Sequence, residues 1–283
     1  MTTAVSSAVR ASGLGKSYGG TWALRDCSFE LPAGRVAALV GANGAGKTTL
    51  LSVLAGLLEA DAGSADVDGR VAFVAQDKPL YKGFTAHDAL TMGARLNTAW
   101  DQAKAEAWLD RFEVPRTRAC GKLSGGQQAQ VAFALALGSC PDVLLLDEPL
   151  ANLDPLARRE VAAALLDEVA ETGMTVVLST HVITELTGVA DHLLLLSNGG
   201  LLADDDVDGL LAHHAAYTGP RSDAPPVEGR VVEARHSANQ STFLVRLPDG
   251  PRPPVADRWV ERAVTLEDYV LARLAESRKG GAE

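Results

Sequence analysis

Two stretches of this chain combine glycines with groups that can hold phosphate: GANGAGKTT at residues 41 to 49 and LSGGQQAQ at residues 123 to 130. The first matches the pattern G-x-x-x-x-G-K-[ST] at Gly41, Gly46, Lys47 and Thr48. Glycines there let successive backbone N–H groups curl round a polyphosphate, because a Cβ would block the approach. A helix opening at the loop adds its positive end, worth about 0.3–1 kcal/mol per exposed charge. Lys47 is placed to reach β- and γ-phosphates and Thr48 to ligate Mg²⁺, while Asn43, Gly44, Ala45 and Thr49 complete the nucleotide contact. A third stretch, VLLLDEP at 143 to 149, sets Asp147 and Glu148 at the end of an apolar run. In α/β sheets the carboxyl ends of strands present ligand-binding groups. Asp147 suits Mg²⁺, directly or through water. Glu148 suits orienting and deprotonating an attacking water, a role typically worth about 10²–10⁴-fold in rate. Together the loop and the acid pair indicate a nucleoside triphosphatase.

These groups work only if strands and helices hold them. RVAALV (35 to 40), RVAFVAQ (70 to 76), DVLLLDEP and MTVVLSTH are short apolar runs suited to buried parallel strands. Residues 49 to 58 place apolar side chains at helical spacing. Thr85 and Asp88 make a capping-box pair opening a helix over TAHDALTMGARL. Residues 98 to 118 continue as helix, with Trp100, Trp108, Leu109 and Phe112 as packing residues. Further helices are expected from Gly125, over LARREVAAALLDEVAETG and over VITELTGVA; DHLLLLSNGGLLADD reads as a strand hairpin and ADDDVD (203 to 208) as a solvated turn. Strands alternating with helices give an α/β domain with a mostly parallel sheet. The Pro/Gly/Asp-rich stretch YTGPRSDAPPVEG reads as a linker. The expected division is one domain over 8–217 with a helical subdomain at about 78–138, a linker over 218–229, and a small α+β extension over 230–283. In the extension RVVEARH and STFLVRL flank SANQ as a hairpin. TLEDYVLARLAES follows as a helix capped by Thr265, with Leu266, Val270 and Leu274 on one face.

With 283 residues, 47% of them apolar, the chain can bury a sizeable core. Its net charge of −10 argues against a protein that coats nucleic acid. Cys27, Cys120 and Cys140 are odd in number and lack metal-ligand spacing, as expected of reduced structural thiols in the cytosol. The N-terminus MTTAVSSAVRASG has no apolar signal region. No apolar run approaches the roughly 18–20 residues a membrane span requires. Action at a membrane would therefore need a partner that crosses it. His87, His192, His213, His214 and His236 lack ligand spacing and read as surface or packing residues.

LSGGQ decides among triphosphatases. Leu123, Ser124, Gly125, Gly126 and Gln127, shortly before the acidic strand, resemble the signature of ATP-binding cassette (ABC) proteins. The rest of that family's set appears in order. Tyr18 stands where the family stacks an aromatic on adenine, Gln76 at the Q-loop, Asn152, Leu153 and Asp154 at the D-loop, and His181 at the switch histidine. The resemblance covers about residues 8 to 215. It implies a P-loop NTPase cassette with antiparallel edge strands and a helical subdomain, ATP and Mg²⁺ as ligands, and ATP hydrolysis. It also implies head-to-tail pairing with a second ATP-binding subunit, as a homodimer. Ser124 and the N–H groups of Gly125 and Gly126 would then close on the γ-phosphate held by the other copy, so the second glycine turn serves the neighbour's nucleotide. By resemblance His181 contacts the γ-phosphate and holds the attacking geometry with Glu148. Gln76 senses Mg²⁺ and the lytic water, beside the segment that touches a transmembrane permease subunit. The chain is expected in the cytoplasm, peripheral at the inner face of the cell membrane. It departs from many relatives in Gln128 for arginine, Asn152 for serine, and a short interval between Lys47 and Gln76 that must trim the sheet inserted there. No catalytic position is lost.

The run of motifs resembles single-domain ATPases of ABC-2 type bacterial exporters, and the tail resembles the short extension of drug and antibiotic exporters. The expectation is therefore an exporter of drug-like or lipid-like substrates, hence antibiotic resistance, with the tail helix reinforcing dimerisation through an exposed apolar face. The alternatives are the ATPase of an ABC importer, or a non-transport cassette protein acting on ribosome or DNA. Against the last stand the single cassette in the chain and the lack of a coiled-coil stretch between its two halves.

Overall fold

The structure is a computed structural model that describes residues 6–151, 153–186, 188–250 and 254–280. Its strands are β1 (Ser7–Tyr18), β2 (Thr21–Pro32), β3 (Val36–Val40), β4 (Ala62–Val67), β5 (Val71–Val74), β6 (Val143–Asp147), β7 (Thr175–Thr180), β8 (His192–Ser197), β9 (Gly200–Asp206), β10 (His214–Pro220), β11 (Arg230–His236), β12 (Gln240–Arg246) and β13 (Val260–Ala263). Its helices are α1 (Lys47–Leu54), α2 (Ala86–Leu96), α3 (Gln102–Arg111), α4 (Gly125–Gly138), α5 (Pro155–Thr172), α6 (Val207–Ala212) and α7 (Leu266–Gly280).

The central sheet has the order β5-β6-β7-β3-β8-β9, parallel except for β9, which folds back on β8. Its middle strands are covered on both faces, which is why they read as unbroken apolar runs. In β3, Ala37 and Leu39 face a core shared with α1 and the antiparallel sheet β2-β1-β4, while Val36, Ala38 and Val40 face a second core. That second core is shared with α2 to α7, and β6 alternates in the same way. Because β5, β6, β7 and β3 are parallel neighbours, Gln76, Asp147, Glu148, His181 and the loop after Val40 all emerge from one end of the sheet. After α1, the short interval before Gln76 holds only β4, paired to β1, and β5.

Several expected elements come out shorter. The helix expected over 98–118 spans only Gln102–Arg111. Asn97 closes α2 with its side chain on the Gly93 carbonyl at 2.8 Å, and Asp101 caps α3 by accepting from the Lys104 N–H at 2.9 Å. Glu113, at φ 50°, followed by Pro115, ends it. Trp100 and Trp108 are packing residues as expected: a Cβ on Gly93 would sit 2.6 Å from the Trp100 ring, and Trp108 donates to Gln130 at 2.9 Å. The expected helix over VITELTGVA is a single 3₁₀ turn, Ile183–Leu186, stopped where Gly188 takes φ 73°. ADDDVD is not a solvated turn: Asp204 pairs with buried His192 at 2.6 Å within the hairpin, and Asp206 caps α6.

The tail departs most from expectation. Strand β10 pairs with β12 and β13 in a four-stranded antiparallel sheet of order β11-β12-β10-β13, so the boundary expected at 217/218 runs through a strand and residues 218–220 are not linker. Tyr217 is fully buried between Phe243 and its neighbours there, which explains why the Pro/Gly pattern that follows it misled. The helix face of Leu266, Val270 and Leu274 is not an exposed dimerisation surface. It packs into the second core with β8 and the 183–186 turn.

Asp268 anchors that helix, accepting from the Thr265 N–H at 3.0 Å, the Thr265 hydroxyl at 2.8 Å and Arg262 at 2.7 Å. The Arg262 hydrogen bond is the main reason its carboxyl is pulled down from 3.8 to about 2. A depressed carboxyl stabilises the fold above its unfolded value and loses that contribution as pH falls through about 2. Asp268→Ala is therefore expected to lower stability by about 1 kcal/mol at neutral pH, with the gap to the parent narrowing on acidification. Urea unfolding at stepped pH checks this; parallel curves at every pH would remove Asp268 from the anchor.

Candidate active site

The loop from Gly41 to Gly46 is shaped by what surrounds it. A Cβ on Gly41 would lie 2.6 Å from the Leu196 carbonyl, and one on Gly46 would collide with the Ala23 carbonyl. Gly46 also takes φ 108°, where an L side chain is strained. It precedes α1 without any side-chain cap, so the first N–H groups of α1 stay open to an anion. The β8–β9 turn braces the loop: Gly199 donates to the Ala45 carbonyl at 3.2 Å and accepts from the Arg25 N–H at 2.8 Å. Asn43, Gly44 and Thr48 are exposed, and Ala45 is buried. Lys47 is buried, its Nζ bonded to the Gly41 carbonyl at 2.8 Å and the Ala42 carbonyl at 3.3 Å, and 4.0 Å from Glu148 Oε1. Burial pushes its pKa down, against the pull of Glu148 and Asp147.

A chain of hydrogen bonds crosses from this loop through two strands. Thr48 Oγ1 donates to Asp147 Oδ2 at 2.8 Å. Ser179 Oγ donates to Asp147 Oδ1 at 2.6 Å and accepts from the Glu148 N–H at 2.9 Å. His181 Nδ1 lies 3.1 Å from Glu148 Oε1. Glu148 has φ 46°, a conformation that costs a non-glycine residue on the order of 1–3 kcal/mol and persists only when neighbours fix it. Its bond to Ser179 and its position at the end of β6 supply that fixing. A cavity of about 60 Å³, lined by Glu148, Ser179, Thr180 and His181 among others, leaves room for water beside the carboxylate.

Sequence reading named Asp147, Glu148 and His181 but missed Ser179. STH breaks an apolar strand with two hydroxyls, but only the register, which pairs Ser179 with Asp147, gives the first of them its role. Gln76 is exposed after β5, and its carbonyl accepts from Lys78 at 3.1 Å. Tyr18 ends β1 beside the Gly19–Gly20 turn, half exposed, with Lys16 Nζ 5.9 Å from its ring. Ser124 caps α4, accepting from the Gln127 N–H at 3.2 Å while Gln127 returns the bond to the Ser124 N–H at 3.2 Å. Ser124 and Gly125 are exposed and Leu123 is buried. Gln128 donates to the Cys120 and Leu123 carbonyls, so it steadies the turn before α4. Leu153 packs against Gly126, and Asp154 caps α5 through the Leu156 and Ala157 N–H groups, each at 3.0 Å. Asn152 lies outside the described residues.

Residues 24–151 match the family model described as ABC transporter. The aliphatic sulfonates import ATP-binding protein SsuB of Corynebacterium glutamicum is 38% identical over 212 residues, covering 73% of this chain and 87% of that protein. The chain belongs to the ATP-binding subunits of ABC transporters. A second relative, the sulfate/thiosulfate import ATP-binding protein CysA of Escherichia coli K12, is 36% identical over 213 residues, covering 68% of this chain and 58% of that protein. A solved ATP-binding subunit of an ABC transporter superposes with a TM-score of 0.66 at 25% identity, covering 72% of this chain and 92% of that structure. The fold is thus an α/β P-loop cassette and the chain an ATPase subunit. Among the described residues no helix is long and apolar enough to cross a membrane.

The ATP-binding subunit fits the Mg·ATP its family uses. A Cβ at Gly46 would fill the cradle, α1 opens there without a side-chain cap, and the Lys47 ammonium rests on the Gly41 and Ala42 carbonyls of the same loop. One carboxylate and one hydroxyl, Asp147 and Thr48, sit 2.8 Å apart at its floor. Among the described residues no group of three or more acidic, His or Cys side chains could hold a metal alone. Mg²⁺ is commonly held by few side chains together with substrate phosphates, and Thr48 and Asp147 offer such a pair. Ser179→Ala leaves Asp147 Oδ1 and the Glu148 N–H without their partner. It should lower stability by about 1–3 kcal/mol in chemical denaturation, and a midpoint equal to the parent's would mean that the hydroxyl does not hold the acid pair.

Proposed function

We propose that this chain hydrolyses ATP through Glu148 to drive a transmembrane permease of an importing system. The observation that carries the ATPase reading is the hydrogen-bonded chain Thr48–Asp147–Ser179–Glu148–His181, which ties the phosphate loop to a positioned carboxylate. Mg²⁺, when bound, neutralises charge on the phosphates; Thr48 and Asp147 would hold it, with Gln76 reaching in from its exposed position. Lys47 leaves the Gly41 and Ala42 carbonyls for the phosphates, and the first N–H groups of α1 take the oxygens beside it. Glu148 orients the attacking water and accepts its proton, and His181 holds the Glu148 carboxylate through Nδ1 while presenting the rest of its ring to the phosphate. Tyr18 stacks on the base.

The exposed Ser124 and Gly125 and the part-buried Gly126 act on the nucleotide of a second copy, so that ATP becomes part of the dimer interface, with Leu153 and Asp154 lining it. The permease crosses the membrane and the cassette works at its cytoplasmic face. As to direction, the sequence favoured an exporter, but the relatives that support a substrate class are named for import of aliphatic sulfonates and of sulfate or thiosulfate. The importer alternative is therefore the better supported, with a sulfur oxyanion as cargo. The exporter and antibiotic-resistance readings have no such support.

Glu148→Gln is expected to bind ATP, accumulate as a dimer on size exclusion and lose turnover by about 10²–10⁴-fold; parental turnover would overturn the role of Glu148. Lys47→Ala is expected to fail earlier, at nucleotide binding, measured directly with a fluorescent ATP analogue. For direction, the permease recovered with the chain in mild detergent is reconstituted in vesicles. ATP-driven movement of a labelled alkanesulfonate toward the cassette side supports import, and movement away from it restores the exporter.

A further inference from the structure

The junction between cassette and tail lies apart from the groups that serve the nucleotide. A cavity of about 460 Å³ opens there, between β9 and α6 on one side and β11, β12 and α7 on the other. Its volume lies in the range of small-molecule sites and well above what an inorganic ion needs. Three arginines reach it, and they are not equally committed. Arg230 pairs with Glu276 at 3.3 Å. Arg273 gives Nη1 to Glu276 at 3.0 Å and Nη2 to the Leu202 carbonyl at 2.8 Å, but its Nε is buried and has no acceptor. Arg246 is exposed at the cavity mouth and has no ion-pair partner among the described residues, so the buried unpaired group of the three is the Arg273 Nε alone. Buried N–H groups of a guanidinium are rarely left unpaired, and an arginine fork matches a carboxylate, phosphate or sulfonate in shape.

The acidic groups of the wall do not pair with Arg246 or with the Arg273 Nε. Asp206 is committed to the N-terminus of α6 and faces Arg35 at 3.8 Å, which leaves Asp205. Leu202, Leu210 and Val232 supply apolar surface, beside the edge-on pair of His214 and Tyr269 with ring centroids 5.0 Å apart. The His214 Nδ1 donates to the Leu210 carbonyl at 2.7 Å, which fixes the ring against the wall. Cationic forks over a partly aromatic wall match a ligand with an anionic head and an apolar body, and Asp205 favours one that also carries a donor.

We propose that the cavity between the cassette and its tail is a binding site for a small organic anion, held by Arg246 and Arg273 and separate from the nucleotide loop. The site does not depend on ATP hydrolysis, so its test uses the nucleotide-free full-length chain. The probe is p-toluenesulfonate, with the uncharged p-toluenesulfonamide as control, read by calorimetry and saturation-transfer NMR. The sulfonate is expected to bind saturably, at least about tenfold tighter than the amide, and excess Mg·ATP should leave that binding unchanged. Arg246→Ala should weaken it about tenfold while thermal melting stays at the parental value, because Arg246 makes no ion pair to lose. Val232→Trp, which fills the cavity without changing charge, should abolish it. Equal affinity for sulfonate and amide, displacement by Mg·ATP, parental affinity in Arg246→Ala, or no saturable binding at millimolar sulfonate would each overturn the site.

Discussion

A buried carboxylate holds the catalytic end of the molecule together. Asp147 is 1% exposed, and removing an ionised carboxylate from water costs several kcal/mol unless its oxygens find donors. Both do: one takes the Thr48 hydroxyl from α1 and the other the Ser179 hydroxyl from β7. Three elements distant in sequence are therefore locked together by one side chain. The same Ser179 oxygen accepts the Glu148 N–H, so the strained backbone that aims Glu148 is tied to the anchor that fixes Asp147. Lys47 and His181 then meet the same Glu148 oxygen, Oε1, at 4.0 and 3.1 Å. A tripartite arrangement of this kind explains why the phosphate loop and the acid pair can be far apart in the chain yet act as one site.

Much of that was legible in the sequence, for physical reasons. Apolar strands buried on both faces leave no polar alternation, so RVAALV and DVLLLDEP could be read as central parallel strands whose ends carry ligand groups. The capping box of Thr85 and Asp88 was visible because it is local, three residues apart, and the structure contains both of its hydrogen bonds. Ser179 was not legible as a site residue, because its role depends on the register between β6 and β7, which no local pattern encodes. Gln76 and the signature turn were identified by resemblance to the ABC family, and in the single chain Gln76 and Ser124 stay exposed, outside the hydrogen bonds that join Thr48 to His181. On the proposed reading they wait for the second copy, so one chain alone holds only half of each nucleotide enclosure.

The tail marks the limit of local reading. Glycine and proline after Tyr217 announced a linker, yet the strand that carries Tyr217 runs on to Pro220, because its partners β12 and β13 arrive from later in the chain. Likewise, the period of Leu266, Val270 and Leu274 fixed an apolar helix face but could not name what covers it. A helix face says that something must be buried against it, and here the chain supplies the cover itself. An obligatory external partner for that face is therefore unnecessary, and the dimer proposed for the cassette must form through other surfaces.

That internal packing has a further consequence. Helix α7 rests on the turn Ile183–Leu186, which begins two residues after His181, and on β8 beside the turn that braces the phosphate loop. The segment after His181 is held there by a single 3₁₀ turn and the Val189 and Ala190 N–H groups on the Leu186 carbonyl, much less than a full helix would provide. Its position is thus set largely by what packs on it, and α7 is one of those elements. The cavity lining on α7, Tyr269 and Arg273, lies on the same helix as the Leu266 and Val270 contacts to the core. Tail and His181 are thus neighbours through one layer of packing, α7 resting on the turn that begins two residues after His181, with no part of the central sheet other than β8 between them.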